Sequence, residues 1–401
     1  MLSYFLLSNN LIKRSMKTKA ISILGCTGSI GVQTLDLVRH YPDAYNVIGL
    51  AAGKNITLLK KQLLEFKPKI VSISHVNDAK ELTLFCKENS LMITIEHGEK
   101  GLETICKNPV DLLVMAIVGT AGIKPTYIAI QNKIPIALAC KEVLVSAGDL
   151  IIALAKKNNV PLIPVDSEHA ATQQCLATQN TIAPIIKTIT LTASGGPFWT
   201  LPHSEFKDIT KEKALKHPTW SMGNKISIDS STMVNKGLEI IEAHHLFNIS
   251  YDKLKVSIHR QSIVHAIVEF IDGNILAHLS PTDMRFPIQY ALDYPYKKQT
   301  KFKGLDINKL SALTFEEPDN TRFPLLNIAI EAGKQKGSYP AVFNAANEAI
   351  VTLFLQDKLT FLQIHTFIED ILAKFNHFIP KTIEDIIDID TQIKHDILQT
   401  T

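Results

Sequence analysis

Apolar positions in the first 165 residues fall in short runs, each followed by a longer stretch with helical spacing. The runs at 20–24, 45–51, 70–73, 111–117, 134–139 and 161–165 are rich in Ile, Val, Leu and Ala and predict buried strands. The segments between them have 3.6-residue periodicity and predict helices, the first running through Val38. Such alternation predicts a doubly wound, Rossmann-like parallel sheet with ligands at the carboxyl ends of its strands. A further strand is expected at 189–192, in a middle α/β catalytic domain. From residue 325 onward the pattern is helical, over 325–333, 340–356, 360–375 and 382–398, which predicts a C-terminal helical bundle.

The breaks in this pattern suggest boundaries. Residues 290–305 are polar, basic and carry Pro295, and 315–324 is a second irregular connection. The expected division is an extension over 1–15, a nucleotide domain over 16–165, a catalytic domain over 166–292, a linker over 293–319 and the bundle over 320–401. Leu2 to Leu7 is an apolar run followed by Lys13, Arg14, Lys17 and Lys19, the reverse of a secretory signal. Met16 offers a second start, and a single Arg makes a weak organelle-targeting signal, plastid-type included.

One stretch breaks the pattern most, His217 to Glu239. Residues 217–223 hold a Pro, a Gly, Trp220 and Met222, and read as a flexible, Gly-hinged loop. Residues 225–229 alternate and predict a short strand, with Ser230 as the N-cap of a helix running toward His245. At about 100° per residue, Glu239 lies ~40° from Asn235, Lys236 ~100° and Glu242 ~340°, with Met233, Val234, Leu238, Ile240 and Ile241 on the opposite arc. A solvated polar face and a ligand-binding face both fit this wheel.

The strand ends supply candidate chemistry. The first strand runs into Gly25-Cys26-Thr27-Gly28-Ser29-Ile30-Gly31 and then a helix, an arrangement that lets backbone amides approach a pyrophosphate. The second ends in Ala52-Gly53-Lys54-Asn55, where no carboxylate awaits ribose hydroxyls, so NADP(H) is favoured over NAD(H). The last ends in Asp166-Ser167-Glu168. Two carboxylates at i and i+2 of extended chain share a side and repel unless a proton or a hard divalent ion such as Mg2+ or Mn2+ relieves them, and a third carboxylate, Glu239, is available on the polar helix face. The competing reading is an N-cap with an acidic first turn for a helix over 169–176. Ser194-Gly195-Gly196 can form an anion-binding nest and would combine with Ser230, Asn235 and Lys236 around a phosphate monoester, or be a plain turn.

Composition narrows the class. The chain is 46% hydrophobic and 20% charged with a net charge of +3, enough for a large core and too little charge for a nucleic-acid partner. Five scattered cysteines without CxxC spacing point to a reducing, cytoplasmic compartment with neither disulfides nor a zinc site. No run reaches the ~18 apolar residues of a membrane span.

Taken together, GCTGSIG, AGKN, the Lys141-Glu142 pair, PVDSEH, ASGGPF, the 217–239 stretch, KLSALTF and NAANE occur in an order that resembles the 1-deoxy-D-xylulose 5-phosphate reductoisomerases over nearly the whole chain. The resemblance implies NADPH-dependent, metal-dependent rearrangement and reduction of a ketose phosphate by a homodimer. It implies a lid over 214–224 and cofactor contacts at Thr27, Gly28, Ser29, Ile30, Gly53, Lys54, Asn55, Cys140, Glu142 and Gly223. The metal ligands would be Asp166, Glu168 and Glu239. Substrate contacts would come from Lys141, Ser167, Glu168, Ser194, His217, Trp220, Met222, Ser230, Asn235, Lys236 and Glu239, with Lys141 and His217 closest to the chemistry beside the metal ligands. Two departures stand out: Cys140 replaces a common cofactor-contacting Asn, and Thr219 a common lid Asn. A retro-aldol/aldol route and an α-ketol route are both compatible with these residues.

Two other classes use part of the pattern. A different metal-assisted NADP oxidoreductase, such as an oxidative decarboxylase, would use the cradle and carboxylates but not the phosphate grip. A non-catalytic nucleotide sensor would need neither three carboxylates nor a lid. Asn344, Asn347 and Glu348 read as ordinary polar helix positions.

Overall fold

A computed structural model describes residues 18–177, 183–220 and 222–400. The 1–15 extension and Ser221 of the lid lie outside the described residues. The first unit runs β1 (Lys19–Leu24), α1 (Ser29–His40), β2 (Tyr45–Ala52), α2 (Ile56–Phe66), β3 (Ile70–Ile73), α3 (Val76–Glu88), β4 (Thr94–His97), α4 (Gly98–Lys107), β5 (Leu112–Met115), α5 (Ile123–Gln131), β6 (Ile136–Leu138), α6 (Glu142–Asn158) and β7 (Leu162–Pro164). Its strands form one parallel sheet in the order β4-β3-β2-β1-β5-β6-β7. The chain leaves β1 in opposite directions toward β2 and β5, which creates the crevice where such sheets bind nucleotides. Gly25 makes the turn at that crevice with φ +89°, and a Cβ there would lie 2.3 Å from the Ala116 carbonyl oxygen. Edge strand β4 escapes the hydrophobic pattern because Thr94 and His97 are exposed and Ile95 and Glu96 only half-buried.

The second unit follows as α7 (Ser167–Leu176), β8 (Ile186–Ala193), α8 (Lys211–Ala214), α9 (Asn224–Ser231), α10 (Val234–Phe247), β9 (Leu254–Ile258), β10 (Val264–Phe270), β11 (Ile275–Leu279) and α11 (Arg285–Asp293). A four-stranded sheet, β11-β10-β8-β9, pairs β8 with β9 in parallel and β10 antiparallel to both β8 and β11. Only β8 is anticipated by the sequence pattern. Then α11 returns to the first unit, where Ile288, Ala291 and Leu292 join the core beneath α1, α2 and α3. Residues 290–293 are therefore helical, and the irregular connection begins after them.

The last unit holds α12 (Leu325–Gln335), α13 (Tyr339–Leu355), α14 (Gln363–Lys374) and α15 (Ile383–Thr400), close to the predicted helices. Leu326 and Ala329 of α12 share a core with Val234, Leu238 and Ile241 of α10. Apolar burial of this kind contributes roughly 1.5–3 kcal/mol per large side chain, so the bundle fixes α10 from behind. No described helix is long and apolar enough to cross a membrane.

Candidate active site

The predicted strand at 225–229 does not exist; those residues belong to α9. Nor does Ser230 cap a helix, since it sits in the last turn of α9. The chain turns at Met233, whose φ of +64° is a strained setting for a side chain with a Cβ, and α10 starts afresh at Val234. The period-2 reading fails because Lys225 and Asp229, four apart, form an ion pair of 2.7 Å on one helix face. The break lets two short helices present different faces to one space.

The polar face of α10 is not solvated. Lys236, Glu239 and Glu242 are 3%, 1% and 1% exposed. They meet Asp166, which is the N-cap of α7 and accepts from the Glu168 N–H at 3.4 Å. The N-cap reading of Asp166-Ser167-Glu168 thus holds, and Glu168 reaches the cluster from a helical turn, not from the extended backbone expected. One oxygen from each of Asp166, Glu168 and Glu239 lies within 4.8 Å of the others. Lys141 Nζ, at the entry to α6, donates to Asp166 Oδ2 at 2.5 Å, Glu239 Oε1 at 2.9 Å and Asn235 Oδ1 at 2.9 Å. Lys236 Nζ bonds Glu168 Oε1 at 2.6 Å and also Glu239 Oε2. The Ser167 hydroxyl bonds Glu168.

Behind this triad lies a pair that sequence reasoning missed. His169 Nε2 donates to the Glu239 carbonyl at 2.9 Å, while Nδ1 sits 3.6 Å from Asp166 and 3.5 Å from Glu242. Although burial opposes protonation, Glu242 and Asp166 hold the His169 imidazole charged, with a pKa up at about 9. Burial raises the Glu168 carboxyl, and Glu239 beside it adds to the rise. Burial also raises Glu242. Asp166 is held well below the usual range, because Lys141 and His169 outweigh its burial. Two buried carboxylates, Glu239 and Glu242, and two half-buried ones, Asp166 and Glu168, face two lysines and one histidine, and the acid pushed up by its neighbour marks excess negative charge. A hard divalent cation fits this oxygen-only triad and would relieve that charge.

The anion-binding groups converge as well. Gly195 and Gly196 have φ of +76° and +68°, and the Gly196 N–H donates to Ser194 Oγ at 3.1 Å. A Cβ on Gly196 would lie 2.6 Å from the Ser230 carbonyl oxygen, so the nest and the end of α9 touch. The lid reaches the same point. His217 Nδ1 accepts from the N–H groups of Thr219 at 3.2 Å and Trp220 at 2.9 Å, which leaves the proton on Nε2 to donate to Ser194 Oγ at 2.9 Å. Burial, helped by Arg260, lowers His217 to about 4 and keeps it neutral. Trp220 rests edge-on against His265, and Met222 is half-buried.

At the cofactor cradle, Gly28 begins α1 without a side-chain cap, so amides of the Ser29–Ile30 turn remain open to an anion. Gly53 and Lys54 are exposed at the β2 end, while Asn55 spends its Oδ1 capping α2 through the Leu58 N–H at 3.0 Å. Cys140 is 2% exposed and its thiol donates to the Gly119 carbonyl at 3.0 Å, so the side chain turns into the protein. Glu142 pairs with Lys225 at 2.9 Å, and despite burial that ammonium holds it down at about 2. Gly223 is the residue before α9. The α13 residues are also more than ordinary polar helix positions: Asn347 is fully buried and donates to Asp229 at 2.8 Å, and Glu348 bonds Asn344 and Lys394. Their signal was Lys225 and Asp229 at helical spacing, hidden by the strand reading.

Family models for 1-deoxy-D-xylulose 5-phosphate reductoisomerase match residues 21–148, and models of its C-terminal domains match 162–247 and 279–396. The protein of that name from Thermoanaerobacter pseudethanolicus is 45% identical over 380 residues, covering 94% of this chain and 98% of the relative. That from Chlorobium chlorochromatii is 47% identical over 373 residues, covering 93% and 97%. Among solved structures, a DOX-P reductoisomerase bound to NADPH, fosmidomycin and magnesium aligns with a TM-score of 0.90 at 36% identity, covering 94% and 97%. The Zymomonas mobilis enzyme bound to NADPH aligns at 0.89 and 39%, covering 96% and 99%.

Proposed function

The chain belongs to the 1-deoxy-D-xylulose 5-phosphate reductoisomerase family, and on that premise we propose how its own residues divide the work. The enzyme converts 1-deoxy-D-xylulose 5-phosphate to 2-C-methyl-D-erythritol 4-phosphate with NADPH and a divalent metal. Asp166, Glu168 and Glu239 hold the metal, and the α1 entry with Gly53–Asn55 holds NADPH. When bound, the metal supplies a Lewis acid and NADPH a hydride.

The remaining steps belong to side chains. Ser194, Ser230, Asn235 and Lys236 grip the phosphate and orient the reacting carbons. Because Ser194 Oγ already accepts from His217 and Gly196, its own proton is free to donate to a phosphate oxygen. Lys141, held protonated by Asp166 and Glu239 despite its burial, faces the substrate oxygens as a cation with Ser167 beside it. Trp220 and Met222 close over the substrate and exclude water. Glu142 and Gly223 border the nicotinamide end. Cys140 shapes the cradle through Gly119 and makes no side-chain contact with the cofactor.

The single observation behind this reading is the meeting of the carboxylate triad with Asn235 and Lys236 on one face of α10. We assign the unit over 16–165 to NADPH, that over 166–292 to catalysis, and the bundle over 320–401 to support. The five buried free cysteines favour a cytoplasmic enzyme. Strand β11, an edge strand among the described residues, favours a homodimer. The test follows NADPH absorbance with 1-deoxy-D-xylulose 5-phosphate and Mg2+ or Mn2+. Oxidation that chelator abolishes is expected, and oxidation indifferent to chelator, or with dephosphorylated substrate, would refute the assignment.

A further inference from the structure

Four arginines lie among the described residues. Arg39 pairs with Glu65, Arg285 with Asp36 and Asp283, and Arg322 with Asp319. Arg260 alone has no carboxylate partner among the described residues. It stands on the β9–β10 connection, held there by the His259 N–H bond to the Ala193 carbonyl at 2.7 Å. Its Nη1 donates to the carbonyls of Ser194 at 2.6 Å and Gly196 at 2.7 Å. Among the described residues, its Nε and Nη2 have no hydrogen-bond acceptor.

We propose that Arg260 is a positioning residue for the substrate phosphate: it clamps both carbonyls of the Ser194–Gly196 nest and sets a permanent positive charge behind the anion. This rests on the phosphate-grip reading above. Three observations carry it. First, one guanidinium nitrogen holds the carbonyls of Ser194 and Gly196, on either side of the positive-φ Gly195, and so fixes the turn between them. Second, a half-buried guanidinium without a counter-charge is costly, and burial does depress its pKa. A phosphomonoester dianion would supply the missing charge, as Glu316, whose charge acts on Arg260 without pairing with it, instead accepts from the Trp199 indole at 3.1 Å. Third, the same charge helps keep His217 neutral, so its Nε2 donates to Ser194 and the serine hydroxyl stays available. The next residues on this connection extend the support, since Ser262 Oγ lies 3.3 Å from Thr219 Oγ1 of the lid. Lysine could keep the charge but would present it as a point, without the fixed fork.

The test compares full-length wild type, R260Q, R260K and S194A with NADPH and Mg2+, measuring kcat, both KM values and competitive inhibition by inorganic phosphate. For R260Q, KM for the sugar phosphate and Ki for phosphate should each rise about tenfold, with kcat and KM for NADPH within about twofold. R260K should recover roughly half of that loss on a logarithmic scale. Equal falls in kcat and NADPH affinity without rescue by R260K would show a merely structural residue and overturn the proposal. If R260Q does not fold, R260K decides, because an unchanged Ki for phosphate would overturn it. S194A separates the two readings. A raised Ki in S194A with none in R260Q leaves the grip intact and removes Arg260 from it, whereas an unchanged Ki in both removes the grip.

Discussion

Lys225 and Glu142 form an ion pair, 2.9 Å from Nζ to Oε1, that ties the helix after the lid to the entry of α6. Lys225 also holds Asp229 at 2.7 Å, and Asp229 is held in turn by Asn347 of the bundle. One ammonium thus joins all three units. Replacing it with an apolar residue strands two buried carboxylates, Glu142 and Asp229, at 7% and 1% exposure. Lys225→Met should cost on the order of 3–5 kcal/mol, read from urea unfolding, and should weaken NADPH binding because Glu142 loses its place. A loss below about 1 kcal/mol would mean the pair is no more than a surface contact.

Glu239 accepts from Lys141, Asn235 and Lys236 at once. Glu239→Gln keeps the volume but removes a metal-ligand charge and sets an amide against two ammonium groups. Turnover should fall at least about 100-fold while NADPH binding, followed by its fluorescence, persists. Loss of the folded state instead would assign Glu239 a structural role.

Much of this site was legible in the chain. The glycine turn after β1 and the Asp166-Ser167-Glu168 strand end are local signals, and their chemistry depends little on distant packing. The hydrophobic arc of α10 was equally plain, since Val234, Leu238, Ile240 and Ile241 all pack inward. What stayed hidden is nonlocal. Strands β9 and β11 carry exposed and half-buried positions without a clean period, and β10 is buried or half-buried at every position, so none of the three alternates. The partner of Glu242 is His169, which lies 73 positions earlier and meets it only when α7 packs beside α10. Arg260 looks like an ordinary loop cation until β9 pairs with β8 and delivers it to Ser194. The α9 strand reading failed because Ile226 and Ile228 alternate over too few residues to separate period 2 from 3.6.

Cys140 stands against Gly119 and Gly122, with its thiol already donating to the Gly119 carbonyl. An asparagine there could keep that donor and add an acceptor, as in the family pattern. Cys140→Asn should preserve or tighten NADPH affinity in a fluorescence titration. A weakening beyond about tenfold would show that the thiol itself makes a cofactor contact or that the pocket has no room for the larger side chain.

Among the described residues strand β11 has only β10 beside it, and its Ile275 and Leu276, with Ile271 in the preceding turn, are 60%, 42% and 65% exposed. An unprotected apolar edge of this kind invites pairing with a second copy. Leu276→Lys should shift the mass in solution from twice toward one times 44.5 kDa, measured by light scattering after gel filtration. A monomeric wild type, or a dimer indifferent to the charge, would place the contact elsewhere or exclude it.

His265 gives the acid limb of stability a testable sign. It is 3% exposed, its Nε2 faces the Ser280 carbonyl at 3.3 Å, and Trp220 and His278 lie beside it. Burial, then the neighbouring His278, lowers its pKa from the ordinary 6.5 to about 4. Lys236 also lowers it, while the Ser280 carbonyl and Asp166 act in the opposite direction. Between those values the unfolded chain takes up a proton that the folded chain refuses, so stability is fully present above pH 6.5 and is lost as pH falls toward 4. His265→Phe keeps a ring and removes the titration. Between pH 7.5 and 4.5 wild type should lose about 2 kcal/mol more than the variant in matched urea unfolding. Parallel losses in the two proteins would mean that His265 is protonated in the folded state and that its burial carries no acid sensitivity.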